Sequence, residues 1–396
     1  MLEIKRNHVI SLLQGVILTW NYFCDNLNGE HTMEMAMIYS FANGKMSKNI
    51  SRSSRLNFQR TELTMQLGKI IFERTAPHSY SIITGPDGVG KSSAVVETIS
   101  NMPFPRGVVY VNVVDATTFS RTLARLINFR YNDYDRDGLI FRVLSIFASP
   151  KNKVPHMSEE PMATWRQMMK SIADTAMRYK AKFGKSITLV IDAVDIIAEH
   201  DHVHGTLILQ SLQEFGERQA ETGVHVVFVA GDGLALRLMK KNPEFSRASV
   251  FEIGDISDDE AVSFLVLHNV SKDIATRAVG SYTGGRLKKI EEFLSNSATL
   301  TLDEMIRQDH TKLHLSLASL GLECDQPLFH LLLQDRFVNV STMDWLKVSP
   351  DALTSLVAAN ILSWDGNTNY RFHHRSVETF FKMAREGKYP EFCAVR

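Results

Sequence analysis

Between residue 56 and about residue 255, short apolar runs alternate with longer amphipathic stretches. The runs 79–84, 107–113, 186–191, 224–230 and 250–253 are apolar at nearly every position. That is the pattern of strands buried on both faces, and its alternation with helical spacing predicts a parallel α/β sheet. From 257 to 297 the spacing is helical and opens on a capping box, Ser257-Asp258-Asp259-Glu260, with the Ser as cap and the Glu three positions later. Residues 300–385 change character. Short helical patterns lead to two apolar runs, 360–364 and 370–372, flanking the turn residues Asp365-Gly366-Asn367-Thr368. This predicts a β-hairpin, and helices followed by a hairpin predict a winged-helix-like domain.

Ahead of residue 56 the pattern is weaker. Lys5 and Arg6 precede an apolar stretch, Val9 to Trp20, that Gln14 interrupts and that no small-x-small cleavage site follows. It reads as an amphipathic helix or a poorly ordered leader, and no run is long enough to span a bilayer. Residues 47–55 read as a polar linker, and 150–160, with Pro150 and Pro155 inside it and Pro161 just after, as a loop. The expected plan is a leader at 1–55, an α/β core at 56–256, a helical lid at 257–300 and a winged-helix-like domain at 301–396.

Composition narrows the classes. The 396 residues suffice for two or three domains, and 44% apolar with 22% charged residues is ordinary for a globular protein. Lys plus Arg and Asp plus Glu both number 44, which argues against strong bulk attraction to nucleic acid or an anionic membrane. Cys24, Cys324 and Cys393 include no closely spaced pair, so neither a metal-type spacing nor a disulfide framework is expected, and a reducing compartment is the default.

The most specific chemistry lies at Gly85-Pro86-Asp87-Gly88-Val89-Gly90-Lys91-Ser92, the phosphate-binding pattern G-x-x-x-x-G-K-[ST]. Its glycines let the backbone curl so that N–H groups face phosphate oxygens. Lys91 reaches the β- and γ-phosphates, and the Ser92 hydroxyl suits Mg²⁺. A strand enters the loop, and a helix containing Ser93 leaves it with its N-terminal dipole toward the anion. A glycine-rich turn before an ordinary helix is the bland alternative.

The run Ser186–Asp192 is an apolar strand ending in a carboxylate, placed to help hold Mg²⁺ beside such a loop. Ala193 follows, where many ATPases with an extra strand carry a Glu that orients the attacking water. Asp195 is the substitute candidate, with a helix-capping role the equal alternative. Without a carboxylate at the water, hydrolysis loses general-base assistance of about 10²–10⁴-fold.

Several segments extend the pattern into a resemblance. Phe58-Gln59-Arg60-Thr61-Glu62-Leu63 is similar to the h-x-R-x-x-E box of AAA+ and STAND ATPases, with one residue fewer between Arg and Glu. Asp192-Ala193-Val194-Asp195 resembles the STAND pattern hhhhD-[DE]-h-D, departing at Ala193. Gly284-Gly285-Arg286 looks like the glycine motif of the helical lid, with Arg286 near the place where archaeal-type members often carry Pro, and together these features resemble the archaeal-type branch. Residues 237–255 look like expanded fungal and oomycete sets of these ATPases, some of which are attached to Crinkler-type effectors.

The resemblance implies an α/β fold: a parallel-sheet P-loop NTPase core with a helical lid and a C-terminal winged-helix-like domain. It implies ATP and Mg²⁺ as ligands, Arg60 near the adenine, Arg286 reaching the γ-phosphate in cis or a helix end, and Arg247 as an arginine finger or a surface residue. Lys91, Asp192, Asp195 and Arg247 are the catalytic candidates, Gly85 to Ser93 with Arg60 and Arg286 the nucleotide-binding ones, and Ser92 and Asp192 the metal-binding ones. Asp232 is a weak candidate for the polar sensor that AAA+ members carry after the fourth strand. A nucleotide-driven switch or motor follows from this. The alternatives are a nucleic-acid-binding module or an oligomerising scaffold with slow or lost hydrolysis. Expected partners are ATP and ADP, a second copy of the chain, and DNA or protein at the winged helix, without a membrane. The expected compartment is cytoplasmic or nuclear, with secretion as an effector the alternative.

Other clusters are weaker. His200-Asp201-His202-Val203-His204 has metal-like alternation but reads as a solvated loop. In His373-His374, one ring is expected to face the core and the other the solvent. Trp345, Trp364, Phe372, Phe380 and Phe381 read as core, and Lys288, Lys289, Arg371 and Arg375 as solvated basic residues or phosphate contacts.

Overall fold

The computed structural model describes residues 32–46, 58, 60–72, 80–104, 106–129, 159–200, 202–218, 223–231, 233–322, 326–364 and 369–388. The readings of Val9–Trp20, the linker 47–55, the turn 365–368, Gln59, Asp232 and the three cysteines fall outside these residues, as does most of the loop 150–160.

Five apolar runs form strands: β2 (Ser81–Thr84), β3 (Val108–Asn112), β4 (Ile187–Asp192), β5 (Val224–Val229) and β6 (Ser249–Glu252). A two-residue strand, β1 (Lys45–Met46), adds an edge. Among the described residues the sheet has six strands in the order β1-β3-β4-β5-β2-β6, all parallel. Central strands β4 and β5 are buried at every position. The fold is therefore the α/β architecture with a doubly covered parallel sheet.

Helices cover both faces. On one lie α1 (Thr32–Asn43), α4 (Phe119–Leu126), α5 (Glu159–Phe183), α7 (His202–Arg218) and α8 (Leu234–Lys240), packed on the inward residues Val109, Val111, Leu189, Val226 and Phe228. On the other lie α2 (Thr61–Phe72) and α3 (Lys91–Ser100), packed on Ile83, Val108, Tyr110, Val190 and Val227. The alternation of β3 between Val109/Val111 and Val108/Tyr110 is the period of two that a pleated strand imposes. Residues 32–46, read from sequence as part of the leader, put Met37, Ile38 and Phe41 into the first of these cores. Pro161 stands in the first turn of α5, where its missing N–H has no helical partner to lose. The short helix α6 (Asp195–His200) and α7 carry the histidines of residues 200–204, so these lie at helix ends and not along one face of a strand.

After β6 the chain forms α9 (Asp258–Leu267), α10 (Lys272–Ala278), a π-helical turn at Val279–Thr283, and α11 (Leu287–Asn296) around their own apolar cluster. The capping box at Ser257 is formed in both directions. Residues 301–388 make a further cluster from α12 (Leu302–Ser319), α13 (Pro327–Asp335), α14 (Val340–Trp345), α15 (Pro350–Ala358), α16 (Arg375–Arg385) and three short antiparallel strands. These strands, β7 (Val338–Asn339), β8 (Leu362–Trp364) and β9 (Asn369–Phe372), are ordered β7-β9-β8, with β8 and β9 paired as the hairpin the sequence predicts. Phe329, Phe372 and Phe381 stack beside them.

Candidate nucleotide and metal site

The loop Gly85–Gly90 joins the end of β2 to the start of α3 at the C-terminal edge of the sheet. In an open parallel sheet that edge is where ligands bind. Gly88 has φ +83°, and a Cβ there would lie 2.6 Å from the Lys288 Cβ, so both the turn and the neighbouring chain require glycine. The Lys91 ammonium donates to the carbonyls of Gly85 (2.7 Å) and Pro86 (2.9 Å). Ser92 and Ser93, in the first turn of α3, are exposed.

Asp192 ends β4, the second strand across from β2, and its side chain turns to the face that carries α3. It is only 2% exposed. The Tyr110 hydroxyl donates to its Oδ2, the Ala193 N–H donates to Oδ1 at 2.7 Å, and the Ser92 hydroxyl also bonds it. Burial pushes the carboxyl pKa up, against the pull of these hydrogen bonds and of the Lys91 charge. Burial, and then the adjacent carboxylate, likewise raises the Tyr110 phenol well above its ordinary value, so it stays a donor. Hydroxyl and carboxylate oxygens side by side form a hard donor set, which fits Mg²⁺ with further ligands from phosphate and water. Among the described residues there is no separate group of three or more His, Cys, Asp or Glu that could hold a metal.

Ala193 has φ +58°, an uncommon backbone for a residue with a Cβ, and this bend aims its N–H back at Asp192. Asp195 sits at the start of α6 and accepts from the Gly231 N–H at 2.6 Å, while the Thr84 hydroxyl donates to the Gly231 carbonyl at 3.0 Å. Gly231, just after β5, thus links Asp195 beyond β4 to Thr84 at the end of β2.

The other candidates lie around the loop. Arg60 donates to the carbonyls of Val89 (3.3 Å) and Gly254 (3.2 Å), linking the loop to the chain that leaves β6. Burial lowers its pKa, which Glu260 and Asp255 oppose. Phe58 packs edge-on to Phe264 of α9. Arg247 ends the short helix Pro243–Arg247 and pairs with Glu217 of α7, its side chain 61% exposed.

Arg286 is buried, 3% exposed, and all five of its N–H donors have acceptors. Its Nε and Nη2 grip Asp255 at 2.5 and 3.2 Å, Nη1 donates to the Asp87 carbonyl at 2.6 Å and faces His373 Nε2 at 3.1 Å, and Nη2 also donates to the His373 carbonyl. A phosphate contact by Arg286 would require giving one of these up. Lys288 completes the seam, its Nζ on Asp87 Oδ2 at 2.7 Å and its N–H on the Gly88 carbonyl at 3.0 Å. Asp87 sits below the ordinary carboxylate range: burial works against this, but Lys288, Lys91 and Arg286 together outweigh it.

Of the 373–374 pair, His373 is buried and His374 half-buried, so the two rings divide between core and surface only in part as expected. His373 is held near pKa 2 by burial, then by Arg286, and His374 near 3 by burial, then by Lys289. Both Nδ1 atoms are buried without a hydrogen-bond partner. The contacts of Tyr110, Asp255 and Lys288 had no signal in the sequence, since each depends on which segments become neighbours.

No protein-family model matches the chain. Over 229 residues, 53% of the chain, it is 25% identical to an uncharacterised ATP-binding protein of Pyrococcus horikoshii and spans 66% of that protein's length. Among solved structures, the Walker-type ATPase of Pyrococcus abyssi is similar at a TM-score of 0.49 and 15% identity, covering 82% of this chain and 96% of that one. The ORC2 protein of Aeropyrum pernix, in ADPNP–ADP and ADP complexes, is similar at 0.43 and 12% identity, covering 85% and 97%. These likenesses lend nothing to the narrower resemblance to Crinkler-associated sets.

Proposed function

We propose that this chain is an ATPase of the AAA+/STAND kind that binds ATP with Mg²⁺ beside Gly85–Ser93. In this reading residues 257–300 form its lid, residues 301–396 a winged-helix-like domain, and the bound nucleotide sets how these sit on the core. The observation that carries the reading is the convergence of the Lys91 charge and the Ser92 hydroxyl on the buried carboxylate of Asp192. The name of the Pyrococcus horikoshii relative also supports it.

The loop amides cradle phosphate oxygens and Lys91 neutralises their charge. Ser92 and Asp192 would hold Mg²⁺, which when bound would supply positive charge against the phosphate oxygens. Arg60 braces the loop from behind. Arg247 is the candidate for reaching a neighbouring copy's γ-phosphate, once released from Glu217. Titration calorimetry with ATP and ADP, with and without Mg²⁺, tests the reading. Lys91→Ala removes a charged donor, an expected loss of about 1.5–3 kcal/mol or roughly 10–150-fold in affinity. A folded parent protein with no affinity for Mg²⁺–adenine nucleotides would sink it.

A second reading keeps ATP as a regulatory ligand with little turnover. Its support is specific: Ala193 stands at the water-orienting position, and the Asp195 carboxylate is committed to the Gly231 N–H. Steady-state hydrolysis separates the two. Turnover that Asp195→Asn abolishes supports the ATPase, while tight binding without turnover supports the regulatory site. Mass measurement in ATP and in ADP, with and without DNA, tests oligomerisation and a nucleic-acid partner.

A further inference from the structure

We infer that Tyr110 is a positioning residue for the metal, holding one oxygen of Asp192 so that the carboxylate presents itself to Ser92 and the Mg²⁺ beside it. The inference rests on the nucleotide–Mg²⁺ reading above and names a residue that no phosphate-loop pattern contains.

The geometry follows from strand register. Tyr110 of β3 lies opposite Val190 of β4, and Asn112 opposite Asp192. Tyr110 and Asp192 therefore share a face, offset by two residues, a diagonal of about 7–8 Å that a long phenol spans and a shorter side chain does not. The ring sits in the apolar cluster between the sheet and helices α2 and α3, and only its hydroxyl emerges, onto Asp192 Oδ2. A carboxylate on a strand end is otherwise free to rotate about its last bond. Here the phenol fixes one oxygen and the bent backbone at Ala193 fixes the other, which sets the plane of the group. Partners outside the immediate ligands of a metal orient them in this way, and removing one typically costs about 10–100-fold in metal affinity.

A purely structural role for Tyr110 makes a different prediction, because it would act on the fold and not on the metal. The test is Tyr110→Phe in the full chain, which keeps the ring and deletes only the hydroxyl. The probes are Mg²⁺ half-saturation of ATP binding, Mn²⁺ affinity by electron paramagnetic resonance in the presence of ATP, and ATP affinity in EDTA. The expected result is a rise in metal half-saturation of about 10–100-fold with ATP affinity in EDTA unchanged. In an Asp192→Asn background the same substitution is expected to add nothing, and this second comparison holds should Tyr110→Phe lower the melting temperature. Metal half-saturation within twofold of the parent would overturn the inference. So would an equal loss of ATP affinity with and without metal, or a full effect that persists in Asp192→Asn. A parent protein that binds no Mg²⁺–ATP at all would instead overturn the nucleotide reading itself.

Discussion

Residues 301–388 meet the rest of the chain at several places, Lys289–Asp309, Arg371–Glu252 and Arg375–Asp258 among them, and two further seams contrast. The first runs through Arg286, which joins Asp255, the Asp87 carbonyl of the phosphate loop and His373 in one buried set of hydrogen bonds. The second lies at α8, where Arg237 and Lys240 sit over the Trp364 ring at 5.2 and 4.6 Å and Arg237 bonds Thr354 and Tyr370. Both seams use an arginine against an element of the β8–β9 hairpin region. They differ in burial and in what lies behind them. A displacement of Asp87 must be felt by the C-terminal unit, because one guanidinium bonds both. Arg237 of the second seam bonds Thr354 and Tyr370 instead, within residues 301–388. The seam with few solvated atoms and a partner in the loop Gly85–Gly90 is thus the one suited to transmit a change at the proposed nucleotide site.

The sharpest way to break the contrast is Arg286→Ala. Removing one partner of a buried ion pair typically costs about 3–5 kcal/mol. The lower figure, about 3 kcal/mol, is expected because Asp255 retains water contact, its side chain being 36% exposed. Denaturant unfolding measures it. A cost no greater than that of a surface arginine would mean that the first seam contributes no more than the second.

Acid probes the same seam. An unfolded histidine takes up a proton below its ordinary pKa of about 6.5. Folded His373 and His374 stay neutral down to about 2 and 3. The unfolded state therefore binds more protons in this window, and stability falls as pH drops through it. At about pH 5.5 the loss relative to about pH 8 is roughly 1.4 kcal/mol for each histidine. Urea melts at both pH values should show it, and His374→Asn should recover one histidine's share. A pH-independent midpoint across this range would count against two histidines held neutral in the folded state. The depressed carboxyl of Asp309, which Lys289 holds low against its burial, adds its own loss only at lower pH, as the solution passes below the ordinary carboxylate range.

How far this contrast was readable in sequence depends on the distance over which each contact acts. The strands from 79 to 253 were legible because a strand covered on both faces is apolar throughout, and the phosphate loop because its chemistry is local. The short strand Lys45–Met46 has neither length nor period to announce it. Asp195 stood three residues from Asp192 with two roles open, and only the arrival of Gly231 from the end of β5 shows which group its carboxylate meets. The glycine pair before Arg286 was legible as a motif, but Arg286 was not legible as the hub of a seam, since Asp87 and His373 come to it from remote parts of the chain. Tyr110 is an ordinary strand tyrosine until β3 is known to lie beside β4.

The smallest expected effect belongs to the second seam. Arg237→Ala deletes a cation held over Trp364 and two hydrogen bonds to side-chain hydroxyls, at a site where water can replace much of what is lost. Cation–π pairs at exposed sites contribute about 0.5–1 kcal/mol, and Lys240 remains over the same ring. A loss of about 1 kcal/mol in unfolding free energy is therefore expected, with nucleotide affinity unchanged. The informative comparison is the double variant with Arg286→Ala. If the seams are independent, the two losses add to within about 0.5 kcal/mol. A large positive coupling would mean that the C-terminal unit is held as one rigid face, so that Trp364 reports on the phosphate loop after all and the contrast between the seams fails.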